Sequence, residues 1–328
     1  MVETILEVED LRIQFKSGKE RVQPIRGVNF TLKKGETLGI VGESGSGKSV
    51  TSLAIMGLLP EQTSEIVSGK IQFNGQDLTK FTEKQYRKFR GNEISMIFQE
   101  PMTSLNPVFT IGQQLSEPLR QHKKMSRSEI QEAIIAVLKQ VGIPRAEQII
   151  HEYPHQLSGG MRQRVMISMA LLCQPKLMIA DEPTTALDVT IQAQILELMK
   201  AIKSENDMSL LLITHDLGVV AEMCDRVVVM YAGEVVEVAE VGELFDQPLH
   251  PYTEGLIDSL PVKNTRKSRL YSIQGQVPRP DEITTGCVFA NRCPKAFSKC
   301  LEETPPAFQI GTRISKCWLQ SPDEGEGR

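Results

Sequence analysis

Eight consecutive residues, Gly42-Glu43-Ser44-Gly45-Ser46-Gly47-Lys48-Ser49, have the spacing G-x-x-x-x-G-K-[ST]. The glycines let the backbone curl until successive N–H groups face one anion. A helix starting at the same point adds the positive end of its dipole. Lys48 is placed to reach the β- and γ-phosphates of a nucleotide, and Ser49 to ligate Mg²⁺. A second carboxylate site is then expected on a neighbouring strand, and Lys176-Leu177-Met178-Ile179-Ala180-Asp181-Glu182 supplies it. Four largely apolar residues end in two acids, at the strand edge where open α/β sheets place ligands. Asp181 is expected to hold Mg²⁺, directly or through water. Glu182, one residue on, is expected near the γ-phosphate, where it polarises the attacking water.

Leu157-Ser158-Gly159-Gly160-Met161 precedes Arg162-Gln163-Arg164 and an apolar run. This reads as a second phosphate-facing helix start: a serine hydroxyl, two glycines, then a dipole. One nucleotide does not need two such starts. The second has a use if it closes over a nucleotide held by another subunit. Four of the six cysteines, Cys287, Cys293, Cys300 and Cys317, fall in the last 42 residues. In a reducing compartment such a cluster suggests metal before disulfides. Cys173 and Cys224 have apolar helical surroundings and read as packing residues.

These groups need elements to hold them. Residues 5–15 and 28–32 alternate as strands, with a turn at 33–36. Residues 37–41 form a short apolar run, a buried strand leading into the glycine loop, and 50–56 read as helix. Ile130, Ala133, Ile134, Val137, Leu138 and Val141 share one helical face. That helix is expected to start near Ser126 or Ser128 and to stop before Gly142 and Pro144. Residues 176–181 and 210–214 are further buried strands, with a helix over 190–204 between them. Apolar strands alternating with helices predict a mostly parallel sheet covered by helices. After about residue 245 the texture changes. Residues 262–328 hold six prolines, four cysteines and 11 basic against 7 acidic residues, so a loop-rich extension in need of a staple is expected. Residues 321–328 read as a disordered tail.

At 328 residues the chain has room for two domains, and 40% apolar with 24% charged residues is ordinary globular usage. A balance of 37 basic against 41 acidic residues argues against a general nucleic-acid binder. No stretch approaches the ~20 apolar residues that span a bilayer. The first residues lack the basic and apolar regions of a secretory signal. A cytosolic chain is expected, whose membrane role needs partner subunits.

Together these motifs resemble the ATP-binding subunits of ABC transporters, in the same order along residues 1–245. Gln99, in Ile97-Phe98-Gln99-Glu100-Pro101, matches that family's Q-loop glutamine. Leu157, Ser158, Gly159, Gly160 and Met161 match its signature, with Met161 in place of the commoner glutamine. Asp188 matches the D-loop, and His215, in Ile213-Thr214-His215-Asp216, the switch histidine. Phe15 takes the place of the aromatic that stacks on adenine. The resemblance implies an α/β P-loop fold with a mostly parallel sheet, an antiparallel β subdomain and a helical subdomain at about 100–175. It implies catalytic roles for Glu182, His215 and Gln99, and Mg²⁺ contacts from Ser49, Gln99 and Asp181. ATP would lie against Phe15, Gly42 to Ser49 (Glu43, Ser44, Gly45, Ser46, Gly47 and Lys48 between them), Gln99 and Asp181 of one chain. Leu157 to Met161 and Asp188 of a second chain, paired head to tail, would complete the site.

His250-Pro251-Tyr252-Thr253, Met102-Thr103-Ser104-Leu105-Asn106-Pro107 and Thr184-Thr185-Ala186-Leu187-Asp188-Val189-Thr190-Ile191-Gln192 are similar to the dipeptide and oligopeptide importer branch. Residues 246–328 would then be that branch's C-terminal extension. The resemblance implies two membrane-spanning permease subunits, docked near residues 100–120, and a second ATPase, a paralogue or a copy of this chain. It also implies a solute-binding protein acting indirectly and a peripheral place on the cytoplasmic face of the membrane. Importers of nickel or other small solutes share these features. Some members of the branch carry a [4Fe–4S] cluster on cysteines like Cys287, Cys293, Cys300 and Cys317. Zinc is the rival, although the C-x₂₋₄-C pairs it favours are absent. Disulfides or free thiols are the third alternative. A soluble ABC ATPase of DNA repair or translation would need a coiled-coil insertion or two ATPase units, and a GTPase would need N-K-x-D. Neither feature is present.

Overall fold

The structure is a computed structural model that describes residues 3–18, 20–99, 104–185, 188–260, 272–283 and 285–322. Its strands are β1 (Thr4–Ser17), β2 (Glu20–Lys33), β3 (Thr37–Val41), β4 (Ser64–Phe73), β5 (Gln76–Asp77), β6 (Ile94–Ile97), β7 (Leu177–Asp181), β8 (Ser209–Thr214), β9 (Arg226–Tyr231), β10 (Glu234–Glu240), β11 (Phe308–Ile310) and β12 (Arg313–Ser315). The helices are α1 (Lys48–Ile55), α2 (Glu83–Phe89), α3 (Ile111–His122), α4 (Arg127–Gln140), α5 (Ala146–Ile149), α6 (Gly159–Leu171), α7 (Val189–Asn206), α8 (Leu217–Met223), α9 (Val241–Asp246), α10 (Pro251–Asp258) and α11 (Ser298–Glu302). Two compact units result, Met1–Thr79 with Ile213–Arg328, and Lys80–Leu212.

In the first unit, an antiparallel sheet runs β2-β1-β4-β5. The alternation of β1 changes phase midway: Leu6 and Val8 are buried, then Leu11 and Ile13. A register shift between Val8 and Leu11, with Asp10 at φ +40°, inserts the extra residue and turns the apolar set back to the same face. β2 begins at Glu20, eight residues before the expected Val28. Its first half is polar and contains Pro24, which a strand at the sheet's edge tolerates because one side needs no ladder donor.

The same unit holds the strands β11-β12-β10-β9-β3, in that order. All five residues of β3 are buried, and β3 runs parallel to β9, Leu38 opposite Arg226 through Val41 opposite Val229. Asp225 fixes its start, accepting at 2.7 Å from the Thr37 N–H. β12 pairs antiparallel with β10, Glu237 opposite Ser315. The cysteine-rich extension therefore gains order by adding strands to this sheet. Tyr231, Tyr252 and Phe289 bury their rings in one cluster with Val41, Val227 and Val229.

In the second unit, β6 and β7 run parallel, Ile94 opposite Leu177 through Ile97 opposite Ala180. Helices α3 to α6 fall within the segment read as helical, 100–175. α4 starts where its capping signal lies: Glu129 N–H donates to Ser126 Oγ, and Ser126 N–H to Glu129 Oε2. Ile130, Ile134 and Leu138 are its buried face. Among the described residues no helix is long and apolar enough to cross a membrane. Residues 323–328 of the expected tail, Met102 and Thr103 of the branch motif, and Ala186 and Leu187 beside Asp188 lie outside the described residues.

Candidate active site

Residues 42–49 leave the end of β3 and turn directly into α1, whose N-cap is Gly47 at φ +102°. A side chain at Gly42 would run into the carbonyl of Met230, so only glycine lets the loop lie against β9. Lys48 is buried and its Nζ donates to the carbonyls of Gly42 at 2.7 Å and Glu43 at 3.0 Å. Its ammonium thus stands inside the loop, at the start of a helix with no acidic residue in its first turn. Ser46 Oγ is buried with no hydrogen-bond partner in the structure. An orphaned buried hydroxyl costs about 1–3 kcal/mol, a cost that a bound oxyanion could offset. Ser44 and Gly45 form the exposed tip, and Ser49 is half-buried on α1. In the same unit Phe15 lies on β1, half-buried, opposite Val22 and Ser64. His215 is exposed between β8 and α8, where Asp216 caps α8 through the Gly218 and Val219 N–H groups.

In the second unit Asp181 ends β7 and is buried. Glu182 follows at φ +48°, a left-handed conformation that costs a non-glycine residue about 1–3 kcal/mol and collects at functional sites. Its carboxylate accepts from Gln99 Nε2 at 3.0 Å and from Thr185 Oγ1 at 2.9 Å. The structure thus brings Gln99, just past β6, onto Glu182, just past β7.

Ser158 is the N-cap of α6, its Oγ accepting from the Met161 N–H at 3.3 Å. Leu157 is buried, Gly159 and Gly160 are partly covered, and a side chain at Gly160 would press on Ile191. Asp188 is the exposed N-cap of α7, accepting from the Ile191 N–H at 3.0 Å. One further residue enters here. Gln163 is fully buried and its Nε2 donates at 2.6 Å to the carbonyl of Pro183, beside Glu182. Between Arg162 and Arg164 nothing in the sequence marks Gln163 as the buried one of the three.

The six cysteines are free thiols. Cys173 is buried just after α6, and Cys224 packs on the core of the first unit. Cys287, Cys293, Cys300 and Cys317 are brought together: Cys317 feels the charge of the other three, and Cys287 that of Cys293 and Cys300. Burial, followed by this mutual repulsion, pushes Cys287 up to about 11 and Cys317 up to about 12. The Cys287 N–H donates to the carbonyl of Cys300 at 2.7 Å. Among the described residues no three Cys, His, Asp or Glu side chains are gathered as one metal ion requires.

A phosphate loop on a parallel sheet, a strand-end acid pair and a serine-glycine helix start define an ATP-hydrolysing cassette. The ABC transporter family profile matches residues 25–185, and that of the oligopeptide/dipeptide transporter C-terminal region matches residues 236–300. The oligopeptide transport ATP-binding protein AppD of Bacillus subtilis is 56% identical, over 98% of this chain and 99% of its own. The dipeptide transport ATP-binding protein DppD of the same species is 50% identical, over 97% and 96%. Among solved structures, the ATP-binding cassette MJ0796, a dimer with ADP and phosphate, superposes with a TM-score of 0.64 at 29% identity, over 72% of this chain and 99% of that one. The chain belongs to the ABC transporter ATP-binding proteins of the oligopeptide/dipeptide branch.

Proposed function

We propose that this chain is the subunit that hydrolyses ATP to drive a membrane importer of peptides. The joining of a phosphate loop and this C-terminal region in one chain carries the reading, since relatives matching its whole length are peptide transport ATP-binding proteins. Gly42 to Ser49 bind the phosphates, with Lys48 neutralising charge that builds during transfer. Ser49, Asp181 and Gln99 hold Mg²⁺, and Phe15 stacks on the base. Glu182 orients and polarises the attacking water, and His215 approaches the γ-phosphate. Gln99 and Thr185 donate to the same oxygen of Glu182, so a Gln99 that turns to Mg²⁺ leaves the carboxylate still oriented by Thr185. Ser158, Gly159, Gly160 and Asp188 serve the nucleotide of a second ATPase, a paralogue or another copy.

Residues 246–328 act as the branch's extension, and 1–245 as the ATPase. On the helical unit, Val108 and Phe109 are 70% and 49% exposed. A groove beside Phe109 is lined by Gln113, Gln114 and Glu117. Apolar side chains left in water next to polar hydrogen-bonders suit the docking of a permease loop. Such docking puts the chain on the cytoplasmic face of the membrane. We also assign a [4Fe–4S] cluster to Cys287, Cys293, Cys300 and Cys317. Four thiols near enough to feel one another's charge, two of them buried and two half-buried, support it, because a cluster takes four cysteine thiolates. When bound, the cluster supplies a staple for a segment with few aliphatic residues.

Mild-detergent purification with this chain as bait, followed by mass spectrometry, tests the proposal. Two multi-span membrane proteins and a second ATPase are expected. Recovery of soluble partners alone would overturn the transport role.

A further inference from the structure

The first unit joins its two ends at one residue of the phosphate loop. Arg292, in the turn between Cys287 and Cys293, forms a two-pronged ion pair with Glu43: Nη1 to Oε1 at 3.0 Å and Nη2 to Oε2 at 3.1 Å. The arginine side chain is 6% exposed. Its remaining donors go to the Tyr231 hydroxyl at 3.3 Å and to the carbonyls of Ile273, Gln274 and Gly275. The main chain of Glu43 is held as well, its N–H donating to the Tyr252 hydroxyl at 2.9 Å. Tyr252 is itself fixed. Its N–H donates to His250 Nδ1 at 3.0 Å, and the His250 and Leu249 N–H groups donate to the carboxylate of Glu237. Tyr231 and Tyr252 pack edge to face with centroids 4.7 Å apart.

We propose that Arg292 and Tyr252 are positioning residues of the ATP site, through which the C-terminal extension sets the shape of the phosphate loop. Glu43 is the second residue of that loop, and its carbonyl accepts from Lys48 Nζ. Side chain, N–H and carbonyl of one residue are therefore bound to Arg292, Tyr252 and Lys48 in turn. Preorganised donors bind phosphate better because they need no rearrangement at the moment of binding. A forked guanidinium fixes both position and plane of its partner, which an ammonium does not. The proposal rests on the reading that residues 42–49 bind ATP.

The test measures ATP affinity with a fluorescent ATP analogue, alongside melting curves, on the full chain. R292A and E43A are each expected to weaken binding about tenfold, as the loss of ~1.4 kcal/mol of coupling would. The double variant is expected to bind no worse than either single one, because both remove one interaction. R292K is expected to recover part of the loss, R292Q none, and Y252F to weaken binding with the ring packing retained. Basal turnover at saturating ATP should change less than affinity does. Additive losses, or wild-type affinity in a folded R292A chain, would overturn the proposal. Should R292A fail to fold, E43Q carries the test: it leaves the extension intact, and wild-type affinity there would overturn the proposal equally. A wild-type chain that does not bind ATP would refute the nucleotide reading instead.

Discussion

Gln163 Nε2 donates to the main-chain oxygen of Pro183 at 2.6 Å, and both residues are buried. This bond ties the second turn of α6, the helix that begins at the serine-glycine motif, to the loop that carries Glu182. In Q163A the Pro183 carbonyl loses its donor inside the protein. The expected cost is about 1–3 kcal/mol of stability, read from urea unfolding. ATP turnover is expected to fall with it, since the loop holding Glu182 at φ +48° loses a support. A Q163A chain with unchanged unfolding midpoint and turnover would show that the bond contributes nothing.

Replacing Glu182 by Gln keeps the shape and a hydrogen-bonding group for Thr185, but removes the base. ATP affinity is expected to stay near wild type, while hydrolysis falls about 10²–10⁴-fold. Single-turnover measurements separate the two. Near-normal hydrolysis in a folded E182Q chain would take Glu182 out of the role.

Burial holds the His250 imidazole far below its usual range, at about 3. Between that value and the ordinary ~6.5, the unfolded chain binds a proton that the folded chain refuses. Stability contributed by neutral His250 is therefore fully present above about pH 6.5 and is lost as pH falls towards 3. Glu237 faces His250 and is moved the opposite way, up, also by burial. H250N keeps a capping acceptor for the Tyr252 N–H and removes only the imidazole titration. Wild-type stability minus that of H250N is expected to drop by about 1.4 kcal/mol per pH unit below 6.5. A pH-independent difference would contradict a buried neutral imidazole.

Anaerobically purified chain is expected to carry about four iron and four acid-labile sulfide, the content of one cubane cluster. C317S is expected to lose both and to unfold its extension at lower urea. Chain with neither element, or with one equivalent of zinc, would refute the cluster.

Much of the site was legible because it is local. The bounds of β3, the start of α4 at Ser126 and the place of Asp181 at a strand end all follow from a few neighbouring residues. The early start of β2 was hidden by its polar, proline-containing edge half, where no apolar alternation is required. The phase change in β1 left only a rough alternation, which the shift between Val8 and Leu11 explains. Arg292 and Glu43 stand 249 positions apart, and Gln163 and Pro183 stand 20 apart. Each pairing is made by tertiary packing, and no spacing rule announces it. The extension read as loops in need of a staple, because strands of three residues such as β11 and β12 are too short for a period to register.

The central claim is that ATP hydrolysis by this chain moves peptides across a membrane. Its most direct test is uptake of labelled di- and oligopeptides by vesicles that contain the purified assembly, with ATP supplied on this chain's side. The account predicts ATP-dependent peptide accumulation with the wild-type chain, and its loss when Lys48→Ala is built into an otherwise intact assembly. Accumulation that is equal with and without a functional Lys48, or no peptide movement while ATP is hydrolysed, would contradict it.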